Sequence, residues 1–185
     1  MQLIKSFRLL LILALAQVSF YSSAQLSVGL DAGIVKRSLF QPYYGGELSV
    51  NYSVSDIVRI GVHSGFYHQQ SNSITNISTG ETFRTSSKLI PVSLSSEFVL
   101  PLGKFKPYLG AHVGMLREVF GIGDFKGSTT YFNLSPVVGL DYQISSNIGL
   151  NANFKYGLAF GENQFDHGRE PFETFSPNLG VRYTF

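Results

Sequence analysis

The chain has 185 residues, no cysteine, and 14 basic against 12 acidic side chains. That length suits one domain, and the missing thiols exclude a disulfide framework and thiolate metal sites. Two of the basic residues, Lys5 and Arg8, fall in a leader, so the rest of the chain is balanced, and its composition points neither to nucleic acid nor to a polybasic membrane surface.

Residues 1–24 read as a secretory signal peptide. Lys5 and Arg8 make the basic start, Leu9 to Ala16 (LLLILALA) the apolar run, and Ser22-Ser23-Ala24 the small-residue cleavage site. Cleavage leaves Gln25 first, and 25–185 form the mature domain. After the leader no apolar run reaches the roughly 18–20 residues of a membrane helix.

The mature domain alternates with a period of two, the mark of β-strands. The spacing predicts eight segments: 26–35, 44–54, 57–68, 88–99, 107–116, 130–144, 148–160 and the carboxy-terminal stretch ending at Phe185. In the last of these, Phe175, Pro177, Leu179, Val181, Tyr183 and Phe185 share one parity. Ser176, Asn178, Gly180, Arg182 and Thr184 share the other. A chain that stops on an apolar strand leaves an aggregation-prone edge unless a closed barrel pairs the last strand with the first. Connections alternate in length. Tight turns are expected at 54–56 and 145–147, a slightly longer connection at 100–106, and longer polar loops at 36–43, 69–87, 117–129 and 161–173, which is the pattern of an outer-membrane barrel. Gly121 to Gly127 (GIGDFKG) lacks the Lys-Ser/Thr pair and following helix of a phosphate-binding loop, and its glycines, with Gly80 and Gly168, read as loop residues.

Four segments repeat one pattern: Gly29-Leu-Asp31-Ala-Gly33, Gly61-Val-His63-Ser-Gly65, Gly110-Ala-His112-Val-Gly114 and Asn153-Phe-Lys155-Tyr-Gly157. Spacings of two and four stay on one strand face, so glycines and ionisable residues lie opposite the apolar rows. A water-facing surface has no use for so much strand glycine, whereas a narrow eight-stranded interior needs room for large side chains. The apolar face is therefore assigned to lipid, with aromatic belts at both ends: Tyr52, Phe98, Phe105, Tyr142, Tyr183 and Phe185 near the turns, and Tyr43, Tyr44, Phe66, Tyr131, Phe132, Phe160 and Phe175 near the loops. Pro91, Pro136 and Pro177 each remove a ladder donor and predict local fraying or bulges at the loop ends of their strands.

The segment Lys104-Phe-Lys106-Pro-Tyr-Leu-Gly-Ala111, the leader ending Ser22-Ser23-Ala24-Gln25 and the terminal Val181-Arg-Tyr183-Thr-Phe185 resemble the small eight-stranded outer-membrane β-barrel domain family of Gram-negative envelopes. The resemblance implies an all-β, antiparallel up-and-down transmembrane barrel with short periplasmic turns and longer extracellular loops. It implies outer-membrane lipids as surroundings and the barrel-assembly machinery as a partner that reads Val181, Tyr183 and Phe185. It does not imply one activity, since members include adhesins, structural barrels and some lipid-modifying enzymes.

The chemistry-bearing residues favour a structural plug. Asp31, Glu47, Arg59, His63, Glu97, His112, Asp141, Lys155 and Arg182 share the inward parity, and buried charges must be paired. Arg182 is expected near Asp31 across the closing seam, Asp141 near the 151–155 stretch, and Glu47 across from His63. His63 and His112 with Asp31 or Glu47 suit a metal chemically, but pairing accounts for them, and no metal or cofactor is expected. For an enzyme, Ser64 and His68 share the lipid-facing parity, yet four residues along a strand span about 13 Å, against the roughly 3 Å of a nucleophile–base contact. His167, with Glu170 and Glu173, has no evident serine partner. The expected function is a non-enzymatic outer-membrane barrel acting structurally or through its loops on an extracellular or envelope partner. A narrow ion-conducting pore or a lipid-modifying enzyme is the alternative.

Overall fold

A computed structural model describes residues 25–37, 41–75, 82–123, 125–161 and 172–185. The expected leader at 1–24, Gly80, His167, Gly168 and Glu170 lie outside the described residues. The period-two segments form β1 (Gln25–Arg37), β2 (Tyr43–Ser53), β3 (Val58–Gln69), β4 (Asn72–Thr75), β5 (Thr82–Val99), β6 (Phe105–Ile122), β7 (Phe125–Gln143), β8 (Ile148–Phe160) and β9 (Phe172–Thr184). All pairings are antiparallel. The ladder runs β3-β2-β1-β9-β8-β7-β6-β5-β4, and β3 also pairs with β5. Because β4 continues β3 along the same neighbour, the wall is a closed barrel of eight strands. The seam pairs β1 with β9, from Ser27 opposite Thr184 to Arg37 opposite Thr174, and the Phe185 amide donates to the Leu26 carbonyl at 2.9 Å.

Across the middle of the barrel the long strands turn their small and polar parity inward and their apolar parity outward. Leu26, Leu30 and Ile34 of β1 are exposed while Asp31 and Val35 are buried; Leu179, Val181 and Tyr183 of β9 are exposed while Asn178 and Arg182 are buried. The outward apolar row from Leu26 to Ile34 matches the roughly 9–11 tilted strand residues that cross a bilayer's hydrocarbon core.

Three features depart from the periodicity-based outline. The 117–129 stretch is not an open loop. β6 and β7 stay paired to Ile122 opposite Phe125, and Gly123 (φ 58°) makes the turn. β5 likewise begins at Thr82, inside the expected 69–87 loop. Beyond the lipid-facing band apolar and polar residues no longer sort by face, as the successive Val119 and Phe120 of β6 show, so the two-residue contrast fades while backbone pairing continues. Second, the β2–β3 turn is displaced. Val54 N–H donates to the Val58 carbonyl, so the loop is Ser55 to Ile57, and Ser49, not Glu47, lies opposite His63. A two-residue slip of this kind keeps every side chain on its face.

Third, the prolines neither fray nor bulge their strands. Pro91, Pro136 and Pro177 sit in unbroken register with Leu116, Ala111 and Phe154 on one side. On the other side each leaves a short gap in the ladder: between Ser64↔Val92 and Tyr67↔Leu89, between Leu134↔Leu158 and Val137↔Lys155, and between Gly33↔Asn178 and Lys36↔Phe175. The register is the same before and after each gap, so no residue is inserted. Only the pairing that a missing N–H cannot make is lost.

Candidate functional site: the barrel lumen

The barrel interior has three layers. At the short-turn end, a cavity of about 290 Å³ is lined by polar residues including Ser27, Ser53, Lys106 and Gln143, and its lining also includes Arg59, Asp141 and Arg182. The middle layer is a charged network. At the loop end, Val35, Tyr43, Tyr67, Leu89, Leu116, Tyr131 and Ala159 pack into a buried cluster.

All nine sequence-derived lumen residues (Asp31, Glu47, Arg59, His63, Glu97, His112, Asp141, Lys155 and Arg182) are buried. Eight of them join in two linked groups. In the first, Arg59 of β3 donates through Nε to Glu97 of β5 at 2.5 Å and through Nη1 to Asp141 of β7 at 2.6 Å. Arg182 of β9 donates to the same Asp141 Oδ2 at 2.5 Å. Asn151 of β8 donates to Asp141 Oδ1 at 2.7 Å and to the Tyr108 hydroxyl at 2.9 Å. The Arg59 guanidinium lies 4.7 Å over the Tyr108 ring. Tyr108 fits there because Gly139 faces it across β6–β7; a Cβ at Gly139 would lie 2.5 Å from the Tyr108 hydroxyl.

In the second group, His63 Nδ1 is 2.9 Å from Glu47 Oε1 and His63 Nε2 is 3.0 Å from the Ser95 hydroxyl. The Lys155 ammonium of β8 crosses to the same Glu47 oxygen. The His63 and His112 rings lie 4.2 Å apart, tilted by 44°, and His112 Nε2 reaches Glu97 Oε1 at 3.4 Å. That last contact joins the groups, so a continuous polar chain crosses the lumen from β2 to β9.

Asp31 is the departure. The expected Arg182–Asp31 pair is not made. Arg182 lies opposite Gly29, and Asp31 lies between Gly180 and Glu47, with no ion-pair partner within 4 Å among the described residues. The guanidinium is long enough to cross the lumen, where Asp141 is already held by Arg59 and Asn151. The Asp141–Asn151 proximity is made directly across β7–β8, whereas Lys155 goes to Glu47. Glu47 meets His63 diagonally, because of the displaced turn.

Tyr43 and Tyr131, placed in the outer aromatic belt from sequence, point inward instead, 1% and 8% exposed. Their parity, opposite to that of Tyr44 and Phe132, carries this information. Tyr43 donates to Ser87 and Glu118 at 3.1 and 3.2 Å, and Arg37 pairs with Glu118 at 3.3 Å. Tyr67, also overlooked, donates to Asn178 at 3.1 Å. These tyrosines pack together inside the barrel on the loop side of the charged layer.

Glu47, His63 and His112 could each direct one ligand atom to a common point, their atoms lying within 4.8 Å of one another. The Lys155 ammonium already supplies a cation to Glu47. On the outer face Ser64 lies opposite Leu48 and Val92, and His68 opposite Tyr44 and Lys88, so the register pairs Ser64 with two apolar residues and brings no serine, threonine or cysteine opposite His68. Glu173 is exposed on β9.

The profile of the outer membrane protein beta-barrel domain family matches residues 7–185. No curated protein matches by sequence. Among solved structures, Neisserial surface protein A (NspA) is similar with a TM-score of 0.63 and 19% identity, over 89% of this chain and 98% of that one. A major outer membrane protein of Thermus thermophilus has a TM-score of 0.63 and 17% identity, over 88% of this chain and 100% of that one. The N-terminal β-barrel domain of Pseudomonas aeruginosa OprF has a TM-score of 0.57 and 21% identity, over 88% and 100%. At these identities the likeness is one of fold.

Proposed function

The chain belongs to the outer membrane protein β-barrel domain family, and from that premise we propose that it is a non-enzymatic integral barrel of the outer membrane, with a sealed lumen and a loop end that meets a partner outside. The observation that carries this reading is the wall-to-wall network from Glu47 through His63, His112, Glu97, Arg59 and Asp141 to Arg182. Such a network obstructs a conducting path, and the buried tyrosine layer obstructs it again. The extension of β5, β6 and β7 beyond the other strands supports a presenting role, because a rigid scaffold holding connecting segments is where recognition concentrates. The outward Val181, Tyr183 and Phe185 at the seam are accessible to the barrel-assembly machinery during biogenesis.

Planar-bilayer recording tests the sealed lumen. The wild-type barrel should show no stable conductance, while a variant that thins both barriers, Arg59→Ala/Arg182→Ala combined with Tyr43→Ala/Tyr67→Ala, should show openings. A large, steady wild-type conductance would make the protein a pore and overturn the proposal.

A further inference from the structure

Four of the five exposed, outward cations described at the loop end lie on one wall. Along β5 the outward row passes from Ile90 to Lys88, Ser86 and Arg84. Along β6 it passes from Met115 to Arg117, Val119 and Gly121, and along β7 from Phe132 to Thr130, Ser128 and Lys126. Arg84, Lys88, Arg117 and Lys126 are all exposed. The registers Ile90↔Arg117↔Thr130, Lys88↔Val119↔Ser128 and Ser86↔Gly121↔Lys126 put them on one surface. With a rise of about 3.4 Å per residue and about 4.8 Å between strands, Arg117 and Lys88 stand roughly 8 Å apart and the stripe is roughly 20 Å tall. Among the described residues this outward wall carries no carboxylate, and none of the four cations forms an ion pair. Elsewhere on the described rim the outward charged residues are Lys36 and Glu173, one of each sign.

We propose that this stripe binds the phosphorylated headgroups of lipids in the leaflet around the loop end. The occupant follows from continuity and depth. The stripe prolongs the lipid-facing rows without a break, and Arg117 lies one outward position beyond Met115 and Phe132. Lys88 sits 5.8 Å over the ring of the lipid-facing Phe66, and aromatic girdles mark headgroup depth. Arg117 is held by a 3.3 Å hydrogen bond to Ser128, and guanidinium groups pair well with phosphate oxygens. Paired strands fix the spacing of the cations in advance, so little ordering is needed on binding. The proposal rests on the membrane placement of the barrel and is independent of the lumen being sealed.

The test uses the mature barrel in nanodiscs of phosphatidylcholine doped with phosphatidylglycerol or with lipid A. Native mass spectrometry reads which lipids stay bound. The wild type should retain phosphorylated anionic lipid over phosphatidylcholine, with roughly a fivefold loss of preference for each cation removed. Preference should fall stepwise from wild type through K88Q/R117Q to R84Q/K88Q/R117Q/K126Q, and Lys36→Gln on the opposite rim should leave it unchanged. It should also weaken in high salt. The double variant keeps the comparison valid if the quadruple variant folds poorly, and both are checked by heat-dependent gel mobility. Equal retention by wild type and the double variant overturns the proposal. So does wild-type binding to heparin that lipid A does not displace, which would assign the stripe to a soluble polyanion.

Discussion

Asp141 is the junction of the lumen network, and its replacement by leucine probes the geometry most directly. It accepts from Arg59, Arg182 and Asn151. In Asp141→Leu, Arg59 keeps Glu97, but Arg182 loses its one ion pair among the described residues. A buried charge left without its partner costs about 3–5 kcal/mol. Arg182→Leu should be milder, because Asp141 keeps Arg59 and Asn151; losing one hydrogen bond to a charged group costs about 1.5–3 kcal/mol. The double variant Asp141→Leu/Arg182→Leu removes the stranded cation as well, so it should be more stable than Asp141→Leu alone. Urea unfolding of the detergent-refolded barrel, followed by far-UV circular dichroism, gives the three values, and the double-mutant cycle isolates the coupling. Additive costs, or Arg182→Leu more damaging than Asp141→Leu, would refute the shared-carboxylate arrangement. The same cycle run on Asp31 and Arg182 should show weaker coupling, since no ion pair links them.

Three further outcomes are expected. A maleimide probe applied to whole cells should label Ser73→Cys, exposed on β4 at the loop end, and not Ser146→Cys, exposed in the β7–β8 turn; the reverse pattern would invert the orientation. Phe185→Ala should lower outer-membrane levels more than it lowers the stability of the refolded barrel, because the ring is 67% exposed and packs edge-on against Tyr183 at 5.0 Å; unchanged membrane levels would remove the recognition role. Gly139→Ala should cost about 1–3 kcal/mol in the urea assay by overpacking the Tyr108 site; a neutral result would mean that the Tyr108 ring moves aside freely.

Much of the barrel is legible in the sequence because its governing signal is local. Parity alone assigns Asp31, His63, His112, Lys155 and Arg182 to the interior and Leu30, Leu94, Leu109 and Leu179 to lipid, since side chains alternate across a strand whatever it pairs with. The same rule places Tyr43 and Tyr131 inside, and grouping aromatics by position along the strand instead of by parity misplaces them. The ends of β5, β6 and β7 are illegible for a related reason. Outside the lipid band apolar residues no longer keep to one face, as the successive Val119 and Phe120 of β6 show, so pairing persists without leaving a period of two.

Partnership within the lumen was decided only by tertiary structure. A two-residue shift of the β2–β3 turn leaves parity untouched, so sequence spacing cannot distinguish Glu47 from Ser49 as the residue opposite His63. Arg182 is adjacent to Asp31 by strand order, yet its side chain spans the lumen, and the carboxylate it finds is the one that Arg59 and Asn151 already hold in place. Charge tells the same story at the surface. Residues 25–185 are neutral in sum, and only the register of β5, β6 and β7 brings Arg84, Lys88, Arg117 and Lys126 onto one outward face. Alternation along a strand is a property of the backbone itself, but register and reach across a closed barrel depend on every strand at once.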